Sequence, residues 1–414
     1  MRVLFVNRFF HPDHSATSQL LTDLVTELRG AGVAVAVVTG RQRIDDARAR
    51  LAAREDFAGA EVHRVWSSRR GRGSVAARAL DYLTFHVAAG LRLAMLCRAG
   101  DVVVAKTDPP LISVTAAVVA RLRRARLVNW LHDLFPEVAV GLGMAPGRGR
   151  IIALLTRLRD WSLGVAHTNV AIGEGMAARL AALGATSARV RVIHNWCDGA
   201  EVRPRALAHH PLRKAWGLEG RFVVAYSGNM GYAHEFDTLL DAAARLADDA
   251  RVVFVLIGDG VRRGDIERRV AERGLGNVVF KPYQPRARLG DSLTAADVHV
   301  VSLRPQMEGL MVPSKFYGIA AAGRGVLHVG DRGGELARLV ETARCGVAVA
   351  AGDGAALAAC IRDLAGDPER VHALGEAARA LFERRFDRSL AMSAWRAALE
   401  AAAAVAQPLA RGRS

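Results

Sequence analysis

The sequence predicts an α/β protein made of two doubly wound domains, and three observations predict it. Short apolar runs alternate with helical patterns through the first half of the chain. The alternation restarts after a charged stretch at 198–217 that contains Pro204 and Pro211. The chain has 414 residues, enough for more than one domain of ~150 residues. Strands alternating with helices favour a parallel sheet covered on both faces, and strands buried on both faces read as unbroken apolar runs.

In chain order, the first strand falls at Val3-Leu4-Phe5-Val6. Residues 17–29 carry Leu20, Leu21, Leu24, Val25 and Leu28 at helical spacing, and Gly30 and Gly32 punctuate before a strand at 33–38. A basic loop, Arg69-Arg70-Gly71-Arg72-Gly73, precedes an apolar helical stretch over 75–96 whose only charges are Arg78, Asp81 and Arg92. Further strands are expected at 102–105, 127–131, 169–172 and 190–193. The second series has a strand at 222–227, a helix over 236–247, and strands at 251–257, 278–281, 298–302, 326–329 and 347–350. One Ala-rich amphipathic helix is expected over 385–404. The expected domains are 1–200 and 201–384, followed by a final helix at 385–407.

Composition narrows the class. Hydrophobic residues make up 51% of the chain, so large cores can be buried. No apolar run reaches the ~20 residues of a membrane span. The opening MRVLFVNRFF reads as a strand, because no small-residue cleavage site follows it. Cys97, Cys197, Cys345 and Cys360 are scattered without CxxC spacing, which indicates neither a zinc site nor a disulfide framework and fits a reducing cytoplasm. The net charge is +16, with 27 Lys and Arg against 16 Asp and Glu in residues 1–200, and 30 against 25 in the remainder. A basic first half suggests an anionic membrane surface, a nucleic acid or phosphorylated substrates. Basic residues beside an apolar helix in the 69–96 region are the ingredients of a peripheral membrane contact. A core helix behind a solvated loop is the competing reading. The arginines are scattered and no aromatic platform accompanies them, so no nucleic-acid partner is expected.

Candidate chemistry lies in the loops after the strands, because open α/β sheets bind ligands at strand carboxyl ends. The loop after the first strand contains His11-Pro12-Asp13 and then Ser15 and Ala16, where the helix starts. It lacks the GxGxxG of dinucleotide binders, and no Walker lysine motif is present. After the strand at 127–131 come His132 and Asp133, suited to acid/base work or hydroxyl binding. The competing reading makes Asp133 a helix cap and Pro136 the first helical residue. The second domain opens with Gly228-Asn229-Met230-Gly231, whose glycines would let a ligand approach the backbone. Gly258-Asp259-Gly260 follows the next strand. In the stretch 304–326, Pro313 and Ser314 open a helix with Lys315 in its first turn. A cation there suits an anion held at the helix start; a solvated lysine on an ordinary helix is the alternative.

The order of these motifs resembles that of family 4 glycosyltransferases. The resemblance rests on HPD, DLFPEVAVGLGM, YSGNMGYAHEFDTLLDAA, IGDG and VPSKFYGIAAAGR, from Met1 to about Leu399. It implies a GT-B architecture, two Rossmann-like domains facing a cleft, and retaining transfer from a nucleotide sugar. The branch that builds bacterial surface polysaccharides is the most similar. The resemblance places Gly228 and Asn229 near the diphosphate, Gly258 and Gly260 beside the nucleotide, and Ser314 and Lys315 on the diphosphate, with Gly231 also in the substrate-contacting set. It sets His132 and Asp133 before the transferred sugar or acceptor. Tyr317, Ser15 and Ala16 complete the substrate-contacting set. The domain at 1–200 would take the acceptor and that at 201–384 the donor, with the last helix crossing back. Two family features depart: the paired glutamates fall on Leu310 and Gly318, with Glu308 out of register, and His234 and Glu235 replace an Arg and Lys pair.

The expected activity is therefore a metal-independent glycosyltransferase with no cofactor beyond its UDP-linked donor. The expected acceptor is a lipid-linked saccharide at the inner face of the plasma membrane. Lys315, His132 and Asp133 are the expected catalytic residues, and Arg304 or Arg262 is a candidate second cation. A transferase with a soluble acceptor and a non-catalytic two-domain binder are the rivals.

Overall fold

The computed structural model describes residues 1–404 apart from 45, 47, 71–73, 146 and 148. The chain divides into two compact units, Met1–Ile193 with Met392–Ser414, and His194–Ala391.

The first unit is built on an eight-stranded sheet. Its strands are β1 (Arg2–Val6), β2 (Ala34–Gly40), β3 (Arg54–Phe57), β4 (Ala60–Val65), β5 (Val102–Ala105), β6 (Arg126–Leu131), β7 (Thr168–Ala171) and β8 (Val190–Val192). They lie in the order β3-β4-β2-β1-β5-β6-β7-β8. All pairs are parallel except β3 with β4. That hairpin was not expected from the sequence, because Arg54-Glu55-Asp56-Phe57 has no apolar run to announce it. Its two-residue turn puts Ala58 and Gly59 at φ 51° and 79°, the positive values that a right-twisted hairpin requires. The order reverses direction about β1, so the carboxyl ends of β1, β5 and β6 lie side by side.

The second unit carries β9 (Phe222–Ser227), β10 (Val252–Ile257), β11 (Val278–Lys281), β12 (Val298–Ser302), β13 (Gly325–Gly330) and β14 (Gly346–Ala350). Its order is β11-β10-β9-β12-β13-β14, and every pair is parallel. The switch point here is β9 beside β12. Both faces of the sheet are covered: Val224, Phe254 and Val300 pack under Leu239, Leu357 and Ile361, while Val223, Val253 and Val255 pack with Leu218 and Ala296.

The helix expected over 385–404 is present as Arg388–Ala404, and a separate helix, Pro368–Arg385, ends just before it. Asp387 breaks the run by accepting from the Ser389 amide at 2.9 Å, a local bond that competes with helix continuation. Residues 405–407 of that expectation lie outside the described residues. From Met392 onward the last helix belongs to the first unit, where the buried Trp395 ring sits 4.5 Å from that of Trp130.

The helix Val75–Leu96 has two unlike faces. Phe85, Ala89 and Leu93 are buried in the first unit's core. Leu80, Leu83, Val87, Leu91 and Met95 form an opposite stripe at helical spacing, and Met95 is 71% exposed. Two further helices continue this side: Ile112–Arg123 packs against Val75–Leu96, and Arg150–Val165 packs against Ile112–Arg123. They expose Val118, Leu122, Ile151 and Leu154. Arg69, Arg70, Arg121 and Arg123 are exposed as well, whereas Gly71, Arg72 and Gly73 lie outside the described residues. No helix among the described residues is long and apolar enough to cross a membrane.

Candidate active site

In the second unit, the turns after β9 and β10 fold into each other. The Gly228 amide donates to the Ile257 carbonyl at 2.9 Å, and the Met230 amide to that of Asp259 at 2.7 Å. Gly228, Gly258 and Gly260 have φ of 131°, 132° and 148°, a region that disfavours any side chain. A Cβ on Gly258 would stand 2.2 Å from the Gly228 carbonyl oxygen, and one on Gly260 would stand 2.6 Å from the Met230 nitrogen. The backbone turns therefore require these glycines by themselves. Asn229 stands beside both, its side chain against Gly231 and Gly260.

Lys315 begins the short helix Lys315–Ala321, and its side chain reaches back to this turn. A Cβ on Gly228 would meet the lysine Cε at 2.8 Å. Nζ lies 2.9 Å from His234 Nε2 and 4.9 Å from the centroid of the Tyr226 ring. Burial pulls the lysine down to about 7. No carboxylate among the described residues forms an ion pair with it. His234 Nδ1 lies 2.8 Å from the Ser302 carbonyl at the end of β12. Burial, and then Lys315, pull the histidine down to about 3, so the ring is neutral. Three strand ends and one helix thus deliver a cation with only neutral company, where an anion would be strongly held.

Several expected roles change. Ser314 does not cap its helix: its backbone is already helical and its hydroxyl accepts no cap bond. Tyr317, expected at the substrate, is 2% exposed and packs against Phe316 and Phe386, with the Asn195 amide on its hydroxyl oxygen. Glu308 is also spoken for. Its carboxylate accepts from the Glu335 amide at 2.6 Å, at the start of the helix Glu335–Thr342. Arg262 donates to the His234 carbonyl at 3.2 Å and pairs with Asp265 at 3.6 Å, which makes it a support of this turn.

In the first unit, the ends of β1, β5 and β6 gather a second polar cluster. The Arg8 amide donates to the Asp108 carbonyl at 2.7 Å. Lys106 is 1% exposed, donates to the Thr17 carbonyl at 2.8 Å, and stands 3.4 Å above the Trp130 ring. Burial pulls Lys106 well down, while Asp108 pushes it back up. Asp108 and Asp133 are both pushed up to about 6 by burial, and Asp108 adds to the shift at Asp133. His132 is 6% exposed and neutral: burial and Lys106 lower it, and its Nε2 has no hydrogen-bond partner among the described residues. Sequence reading found His132 and Asp133 and missed Lys106 and Asp108, although both follow an apolar strand as the others do.

Asp133 does not cap a helix. The helix there is Glu137–Gly141, with Pro136 before it and no side-chain cap. Glu137 holds Arg159 through both carboxylate oxygens, at 2.8 and 2.9 Å. Ser15 caps its helix by accepting from the Ser18 amide at 3.4 Å, and Ala16 is the first helical residue. Asp13 braces the same loop, accepting from Ser15 and Ile44 amides at 2.8 and 2.6 Å.

Comparison with known proteins decides the family. The model "Glycosyl transferase 4-like domain" matches residues 17–196, and "Glycosyl transferases group 1" matches residues 221–367. The chain is a family 4 glycosyltransferase. This glycosyltransferase is 28% identical over 274 residues to the "Probable glycosyltransferase WbjE" of Pseudomonas aeruginosa, covering 66% of this chain and 68% of that one. It is 28% identical over 229 residues to the "Putative colanic acid biosynthesis glycosyl transferase WcaI" of Escherichia coli, covering 54% and 56%. The Anabaena protein Alr3699/HepE, crystallised in complex with UDP-glucose, superposes with a TM-score of 0.70 at 17% identity, covering 97% of this chain and 100% of that one. The fold is GT-B, with two Rossmann-like domains.

Proposed function

We propose that the enzyme transfers a sugar, with retention, from a UDP-linked donor to a hydroxyl of a lipid-linked saccharide in surface-polysaccharide assembly. One observation carries the donor assignment: the half-buried Lys315 lies across Gly228 with no carboxylate paired to it among the described residues. A departing nucleoside diphosphate develops negative charge, and a fixed cation in a low-dielectric site stabilises it as the bond breaks. The UDP-glucose in Alr3699/HepE supports the donor class.

In this reading, the bond from the sugar C1 to the phosphate oxygen breaks, and its electron pair leaves with UDP. The acceptor hydroxyl oxygen bonds to C1 on the same face, and its proton passes to the departing phosphate. Charge neutralisation falls to Lys315 and no metal takes part. Asp133 and Asp108 bind acceptor hydroxyls beside the neutral His132, which fits two carboxyl groups that burial pushes up to about 6. The exposed stripe of Val75–Leu96, flanked by arginines, rests on anionic lipid at the cytoplasmic face.

A thermal-shift screen of nucleoside diphosphates tests the reading, since a ligand that binds only the folded state raises Tm. UDP should stabilise the wild type and not Lys315→Ala. Equal stabilisation of both would sink it.

A further inference from the structure

We infer that His234 is a positioning residue for Lys315, holding its ammonium through Nε2 so that the other two N–H groups are presented to the leaving diphosphate. The inference rests on the donor-site reading given above.

The geometry fixes the direction of every proton in the chain of contacts. The Ser302 oxygen is a carbonyl and can only accept, so Nδ1 of His234, 2.8 Å away, carries the hydrogen. A neutral ring protonated at Nδ1 has its lone pair on Nε2. The contact of 2.9 Å between Nε2 and Lys315 Nζ is then a bond that the lysine donates. The ring is held in place from its backbone as well: its amide donates to the Gly231 carbonyl at 3.2 Å, and its carbonyl accepts from Arg262. One of three ammonium hydrogens is thereby committed, and the long side chain lies across Gly228.

The partner's neutrality matters as much as its position. A carboxylate here would fix the lysine equally well, but it would cancel the charge and compete with a phosphate. The next residue, Glu235, is such a carboxylate. It turns away to accept from the Thr238 amide at 3.0 and 3.2 Å, at the start of the helix Asp237–Arg245. The chain thus places the acid on a helix and the uncharged ring on the cation.

The test uses UDP binding by calorimetry on the full chain. Gln can set its amide oxygen where Nε2 stands and keep the acceptor for Lys315. Asn can keep the donor to Ser302 but does not reach the lysine. His234→Gln should stay within about 3-fold of wild type, while His234→Asn should weaken UDP about 10- to 100-fold, the scale of a misplaced binding group. In a Lys315→Met background, His234→Asn should cost nothing further, because its effect passes through the lysine. Equal affinities for Gln and Asn, or a full additional loss in the Lys315→Met background, would overturn the inference. Nitrogen-15 NMR of the wild type gives an independent reading. A protonated Nδ1 and a bare Nε2 are expected, and the opposite tautomer would overturn the inference without any variant. Failure of the underlying reading looks different: wild type would bind none of UDP, GDP and dTDP, or Lys315→Met would bind UDP unchanged.

Discussion

Lys106 and Lys315 occupy equivalent kinds of place, each just beyond the carboxyl end of a parallel strand or on the helix that packs there, and each has its ammonium pulled down by burial. Their company differs. Lys106 donates to a backbone carbonyl, stands over an indole face and has a carboxylate nearby, all within its own unit. Lys315 has an imidazole lone pair and a phenol ring, and no paired carboxylate among the described residues. A buried cation with a carboxylate nearby has part of its charge offset inside the fold; one with neutral partners alone is matched to an anion that comes and goes.

The largest expected effect separates the two directly. Lys315→Met should weaken UDP by roughly 100- to 1,000-fold, the scale of removing a charge-stabilising donor, and leave urea stability unchanged or improved. Lys106→Met should do the reverse: about 1–3 kcal/mol lost in urea denaturation, because the Thr17 carbonyl loses its buried donor, with UDP affinity intact. If Lys106→Met proves as harmful to UDP binding and as harmless to stability as Lys315→Met, the contrast is wrong.

Titration sharpens the same comparison with a smaller effect. Folding holds Lys315 at about 7, below the ordinary 10.5. Between these values the unfolded chain keeps a proton that the folded chain has released, so stability should rise as pH climbs from about 7 towards 10.5. Lys315→Met should flatten that rise. A diphosphate favours the ammonium form, so UDP binding above pH 7 should take up a proton and weaken by up to ~10-fold per pH unit. Calorimetry in buffers of different ionisation enthalpy counts that proton, and no uptake would contradict the assignment.

The smallest effect concerns the surface of the first unit. Replacing Leu83 and Leu91 by Ser should leave Tm within about 2 °C, since both side chains are more than half exposed at 60% and 59%. Partition to vesicles containing anionic lipid should fall by about 10-fold. Undiminished partition would remove the stripe from the membrane contact.

Much of this protein was legible along the chain. Strands buried on both faces must be apolar at every position, so Val3-Leu4-Phe5-Val6 and the run Val252–Ile257 declare themselves without neighbours. The glycines at 228, 258 and 260 were legible as turns for the same local reason, since their φ values admit little else. The resemblance carried by the motif order named the family, and Lys315 stood out as a cation in a first turn.

Partnership was not legible, because it depends on residues far apart in sequence that the sheet order brings together. His234 meets Ser302 across 68 positions and Lys315 across 81. Glu308, out of register with the family's glutamates, accepts from the amide of Glu335, and Tyr317 was taken by the core. The helix Val75–Leu96 is apolar nearly all round, so only packing could decide that Phe85 faces inward and Leu83 outward. Local sequence sets which elements form, through periodicity and backbone restriction. Which charged groups are neutralised, and which are left to meet a ligand, was settled only when the strand ends converged and each group's desolvation found, or failed to find, an opposite charge.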